Sequence, residues 1–335
     1  MNYAIISLEV NMEQKLTEIF SNTLNTAANA LDCFRLIDEF NISTENKADH
    51  FVRIFALNYN KDHFDYEALY RLLKNNVANY VFNRKKVLEY EKKGEQVLSA
   101  RDAIDKFVKI SKDAIEKKNY GSGGELGEML LYVFLEGFQK ANKLLSKMEL
   151  KTNNNTYAHG FDGVHFYLKK YETYSAFQLI YGESKIEDKL SDALREAFIS
   201  LKTSYGNKST DLSLLDDSIL NEVVEDNDTI EFLKSIIIPR YRPANCKMET
   251  EDAFAMFLGY TFSGIMIDGT RSPKDLVDEK IKYDIRNLRR NLATKIKEME
   301  LPRASDFYIF VLPFNNAVVD KHNIMKEVLG VDLCN

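Results

Sequence analysis

GVHFYLK (163–169) and AFQLIYGESK (176–185) decide the fold of this chain. Both runs are rich in aromatic and β-branched residues, and a polar stretch, Lys170–Thr173, lies between them, so they read as the two strands of a β-hairpin. Asp162 opens the first strand and Glu183 closes the second, each equally far from the middle of the turn. Antiparallel pairing therefore sets Asp162 opposite Glu183 with no register left to adjust. Strand residues two apart share a face, so Glu183 and Lys185 project together from a strand end. Val164, Phe166, Leu168, Phe177, Leu179 and Tyr181 are the core residues between them.

Working outward, residues 3–9, 50–59 and 307–314 (FYIFVLPF) read as further strands. Helical spacing predicts helices over 12–38, 64–93, 125–148, 186–203, 251–265 and 274–298. NYGSGG (119–124) and KTNNNT (151–156) are loops by composition. The expected fold is α/β: a mixed central sheet flanked by helices, with the hairpin central. Residues 1–95 are expected to form an N-terminal accessory lobe and residues 96–335 the main domain.

The 335 residues carry 45 Lys plus Arg against 51 Asp plus Glu, a net charge of −6, which excludes a globally basic nucleic-acid binder. Local basic stretches remain, with eleven Lys/Arg against seven Asp/Glu over Asn83–Lys118 and eight against four over Glu279–Arg303. Residues 211–231 hold eight acidic residues and no basic one. Three scattered cysteines form no CxxC pair, which argues against a thiolate zinc site or a disulfide framework. No stretch reaches the 18 apolar residues of a membrane span. The N-terminus lacks the features of a signal peptide, and a cytoplasmic protein is expected.

The triplet acid-x-Lys occurs eight times, so its spelling carries almost no information. Only Glu183-Ser184-Lys185 ends an apolar β-run. In GGELGEMLLY (123–132), Glu125 and Glu128 flank the apolar stripe of the preceding helix. Glu125 is explained by the favourable field at a helix N-terminus. Glu128, one turn inward beside Met129 and Leu130, is not, and is the preferred functional residue. Glu128, Asp162, Glu183 and Lys185 then make a hard-oxygen site suited to Mg²⁺ or Mn²⁺ and to phosphodiester hydrolysis. The competing account is a hairpin with charged ends.

A Glu on a helix, an Asp at a strand start and Glu-x-Lys on the next strand resemble the PD-(D/E)xK nuclease superfamily, although Phe161 stands where that motif has Pro. More narrowly, GELGEMLLY, FDGVHFYL and LIYGESK resemble the HamA family, nuclease subunits of the Hachiman anti-phage defence system, over roughly residues 100–320. The resemblance implies a PD-(D/E)xK nuclease-like core, catalytic Glu128, Asp162, Glu183 and Lys185, DNA as substrate, and a superfamily-two helicase partner, HamB, that restrains the nuclease. The alternative is a catalytically inactive nuclease-fold interaction subunit of a helicase complex.

The remaining polar residues carry less. His165 reads as structural, and His159 as a loop residue near the site. Five histidines give no HxxxH or HExxH pattern, which disfavours a zinc hydrolase. Gly121–Gly124 lacks the GK[ST] of a phosphate loop. Lys189 and Arg195 read as a solvated helix face.

Overall fold

A computed structural model describes residues 32–43, 48–116, 124–146, 148, 160–172, 175–206, 231, 234, 249–266, 271–301 and 305–333. Seven strands form one mixed sheet in the order β1-β2-β9-β8-β7-β6-β5. They are β1 (Arg35–Ser43), β2 (Asp49–Ala56), β5 (Asn142–Ser146), β6 (Gly163–Lys170), β7 (Ser175–Glu187), β8 (Glu249–Thr261) and β9 (Phe307–Phe314). A two-stranded ribbon, β3 (Tyr59–Asn60) and β4 (His63–Phe64), stands apart. The pairs β2–β9, β9–β8 and β8–β7 are parallel; β1–β2, β7–β6 and β6–β5 are antiparallel. The helices are α1 (Glu67–Val81), α2 (Arg84–Lys93), α3 (Gln96–Glu116), α4 (Glu125–Phe134), α5 (Leu190–Gly206), α6 (Pro273–Asp284), α7 (Leu288–Glu298) and α8 (Ala317–Leu329). The mixed sheet with flanking helices is the architecture read from the sequence. The hairpin lies to one side of it, and β8 is the middle strand.

That position explains the plainest correction. Residues 251–265 were expected to be helical, but 249–261 form β8. Its stretch Ala253–Tyr260 is paired on both sides and covered on both faces, and is apolar with no alternation to mark it. Five other helix spans differ. Residues 35–38 of the expected 12–38 helix belong to β1, which uses the free edge of β2. The 64–93 helix is two helices, because extended Phe82 ends α1 and the Asn83 side chain caps α2 by accepting from Lys86 N (2.9 Å). The 125–148 helix stops after a π-turn at Leu135–Gln139, where Lys140 turns left-handed (φ 58°) and the chain enters β5. The 274–298 helix is broken between α6 and α7. The expected 186–203 helix begins at Leu190, since β7 runs to Glu187. Residues 3–9, 12–31, 119–123, 151–156, 159 and 211–230 lie outside the described residues.

Residues on both sides of position 95 share the sheet: β2 hydrogen-bonds with β9, and α1 packs against α4 and α8. The sheet's aromatic core runs through Phe134, Phe254, Phe257, Phe307 and Phe310, all essentially buried.

The end of the sheet holding the turn of the hairpin is tied by a buried polar network. The Asp306 carboxylate accepts from Asp49 N (2.9 Å), from Gln178 Nε2 (2.7 Å) and from the Lys169 ammonium. Gln178 also donates to Glu251 (3.0 Å) and accepts from the Tyr308 hydroxyl (2.7 Å). Five strands are joined there.

Candidate active site

The opposite end of the hairpin holds the acidic residues. The observed register pairs Gly163 with Gly182 and continues to Lys170 with Ser175, which is the register read from the sequence. Asp162 N donates to Gly182 O (2.9 Å), extending the ladder by one bond. Beyond it β7 runs on to Glu187 with β6 no longer alongside. Asp162 fills this gap: its Oδ2 accepts from both Ser184 N (2.8 Å) and Ser184 Oγ (2.7 Å). The carboxylate thereby takes the place of the next strand residue.

Strand alternation then sorts the residues of β7. Gly182, Ser184 and Ile186 face α4: a Cβ on Gly127 would stand 2.8 Å from Ser184 Oγ, and one on Gly182 would stand 2.8 Å from Leu131 Cδ2. Only glycine at these two positions lets helix and strand approach so closely. Glu183 and Lys185 are one step out of phase and share the face of Tyr181, whose ring meets Tyr205 of α5. The Lys185 ammonium donates to Glu183 Oε1 (2.7 Å); the Glu183 side chain is 4% exposed and that of Lys185 28%.

Glu128 enters from α4. Both Glu125 and Glu128 are buried, so the first turn of this helix faces inward. Glu128 Oε2 accepts from the hydroxyl of Tyr80 (3.0 Å), a residue of α1 that is 1% exposed. Burial, followed by the charge of Glu128 and its hydrogen bond, holds the Tyr80 hydroxyl protonated well above its ordinary range; the charges of Asp162 and Glu125 add to this. Tyr80 therefore lies in the field of three carboxylates and in contact with Glu128. Nothing in the sequence pointed to it, because a tyrosine on the apolar face of a helix reads as core.

His165 is buried against α4, 6.3 Å from the Tyr132 ring. Neither ring nitrogen has a hydrogen-bond partner among the described residues, and burial, aided by Lys143, pushes its pKa down to about 3. It is a neutral core residue. Lys189 is exposed, and Arg195 pairs with Asp192 and Glu196. Cys33 is buried, with its thiol pushed up to about 12 mainly by that burial, which rules out a ready nucleophile.

The four residues singled out in the sequence thus form two linked groups. Glu128 is hydrogen-bonded to Tyr80 and Asp162 to Ser184 on the α4 side, and Glu183 pairs with Lys185 one strand position away. Among the described residues, no group of three or more His, Cys, Asp or Glu side chains is gathered closely enough to hold a metal ion. Among the same residues, no helix is long and apolar enough to cross a membrane.

The HamA family model matches residues 31–328 of the 335. The chain belongs to the HamA family. It is therefore a component of the Hachiman anti-phage defence system. No curated protein matches it. The HamA match takes in every element from β2 to β9, including α1 and its Tyr80.

Proposed function

We propose that this chain is a divalent-metal-dependent DNA endonuclease, the effector of its defence system, acting in the cytoplasm and restrained by the helicase HamB. The observation that carries the reading is the gap beside β7: Asp162 sits in the plane of the sheet next to the Glu183–Lys185 pair, and Glu128 reaches in from the covering helix. The three carboxylates are buried but stand in two groups, so holding one cation together requires them to draw closer than they do here. The donors are hard oxygens, which fit Mg²⁺ or Mn²⁺, with Glu128, Asp162 and Glu183 as the residues to hold it. A bound ion of this kind supplies Lewis-acid polarisation of a phosphoryl group and a more acidic water.

The chain's own groups divide the remaining work. Ser184 fixes the Asp162 carboxylate through two donors. Glu183 holds the Lys185 ammonium at the strand end, and its partial exposure lets it meet a phosphate oxygen carrying developing negative charge. The low intrinsic DNA affinity expected of an acidic chain leaves targeting to the partner, with phosphate contacts from the basic stretches.

The second reading is the inactive interaction subunit. It draws support from the same pairings, since Glu128, Asp162 and Glu183 are each turned to a protein partner. Digestion of supercoiled plasmid by the purified chain, with Mg²⁺ or Mn²⁺ against EDTA and with and without HamB, separates the two. Metal-dependent cutting that Lys185→Ala removes supports the nuclease. No cutting under any of these conditions supports the interaction subunit. Two separate peaks on size exclusion after co-expression with HamB would count against the restrained complex.

A further inference from the structure

We infer that the crevice beyond the carboxyl ends of β7 and β8 is a second ligand site, one that takes a phosphate ester of nucleotide size. It lies past the Glu183–Lys185 pair, and none of the four residues of that centre lines it. The cavity measures about 440 Å³, a volume typical of small-molecule sites. Its walls are the start of α5, the last residues of β8 and the junction of α6 with α7. In open α/β sheets ligands bind outside the carboxyl ends of the parallel strands, and β7 and β8 are such a pair.

The observation that carries the inference is Tyr260, near the end of β8. It lines the crevice and is 3% exposed, yet its hydroxyl has no hydrogen-bond partner among the described residues. A buried hydroxyl left unpaired is costly, and a ligand oxygen accepting from it removes that cost. Two further features select an anion. The 17-residue helix α5 begins at Leu190 on the crevice wall. The first N–H groups of a helix lack intrahelical partners, and its dipole is positive there. Arg286, also on the lining, lies over the Tyr283 ring (3.6 Å to the centroid) and donates to Tyr283 O (2.8 Å). A guanidinium has further N–H donors to offer a phosphate. Of the two carboxylates on the lining, Asp284 is paired with the Lys280 ammonium, and exposed Asp188 is offset by its exposed neighbour Lys189. Leu190, Leu194 and Leu288 give the organic body of the ligand an apolar wall.

The test is calorimetric titration of the full chain in EDTA at low salt, with thymidine 5′-monophosphate and thymidine as separate probes. The wild type should bind the monophosphate about 10-fold or more tightly than thymidine. Tyr260→Phe should weaken that binding by about 10-fold and Arg286→Ala by about 10–100-fold. Glu183→Gln should bind as the wild type does. Thermal unfolding supplies the structural control. Without ligand, Tyr260→Phe should melt no lower than the wild type, since it removes an unpaired hydroxyl; with the monophosphate it should gain less. A short single-stranded oligodeoxynucleotide that displaces the monophosphate would assign the crevice to a nucleotide of a DNA strand, and no displacement would assign it to a free nucleotide. No binding by the wild type, equal affinity for the two probes, or undiminished binding in either variant would overturn the inference. So would an equal loss in Glu183→Gln, or a Tyr260→Phe chain destabilised without ligand. None of these readouts needs a divalent metal or cleavage, so the nuclease reading stands or fails separately.

Discussion

The two ends of the β6–β7 hairpin, about 20 Å apart along the strand, bury polar groups in opposite ways. At the turn end one carboxylate, Asp306, is buried, and it is closed by a lysine, an amide and a backbone N–H from three strands. At the other end four carboxylates, Glu125, Glu128, Asp162 and Glu183, are buried on a helix and two strands. Burial of charge alone therefore does not mark a functional site, because a structural network buries charge too. What sets the acidic end apart is a concentration of one sign where a strand loses its neighbour.

The comparison breaks most readily at Asp306. Asp306→Ala leaves Lys169 and Gln178 facing an empty position, and should lower the unfolding free energy by about 3–5 kcal/mol in urea titration. Glu183→Gln, at the acidic end, should cost less than half of that while weakening Mn²⁺ binding. Equal losses of stability would make the two ends alike and remove the contrast. Lys185→Ala comes next: cleavage should fall by about 10²–10³ with Mn²⁺ binding retained, since the three carboxylates remain.

A smaller effect concerns pH. The unfolded chain protonates His165 near its ordinary 6.5, whereas the folded chain resists down to about 3. The stability tied to the neutral ring is complete above pH 6.5 and is lost as pH falls towards 3, by about 2 kcal/mol at pH 5. His50, lowered by burial as well, acts in the same direction. His165→Leu should flatten the acid side of the stability profile; an unchanged slope between pH 6.5 and 5 would assign the acid sensitivity elsewhere. The smallest effect is expected at Lys189. It is exposed and past the end of β7, so Lys189→Ala should cut at nearly the wild-type rate. Loss of cleavage there, with Lys185→Ala active, would move the site to the Glu187-Asp188-Lys189 triplet.

The hairpin register was legible because the turn is short and Asp162 and Glu183 lie equally far from its middle, so symmetry about one point left no choice. Glu128 was legible as a charge out of place on an apolar stripe. Residues 251–261 were not, because the apolar run Ala253–Tyr260 satisfies helix and strand periodicity alike, and only its pairing on both sides decides for the strand. The end of α4 was hidden for a related reason: Ala141 and Leu144 fit the helical stripe, yet both are buried beyond the left-handed turn at Lys140. Tyr80 lies 48 residues before Glu128 on another helix, and no local pattern encodes that meeting.

The strand order sets a timetable for synthesis. β2 is complete at residue 56, but its parallel neighbour begins at residue 307, and that strand is also the only one in the sheet bridging β2 to β8. At roughly 5–20 residues per second, the ribosome takes about ten to fifty seconds to cover the interval. Until residue 307 is made, the β1–β2 hairpin and the strands bearing Asp162 and Glu183, once synthesised, are two unjoined parts of the sheet. A chain that stops between residues 261 and 307 therefore carries both parts of the sheet and lacks the strand that joins them.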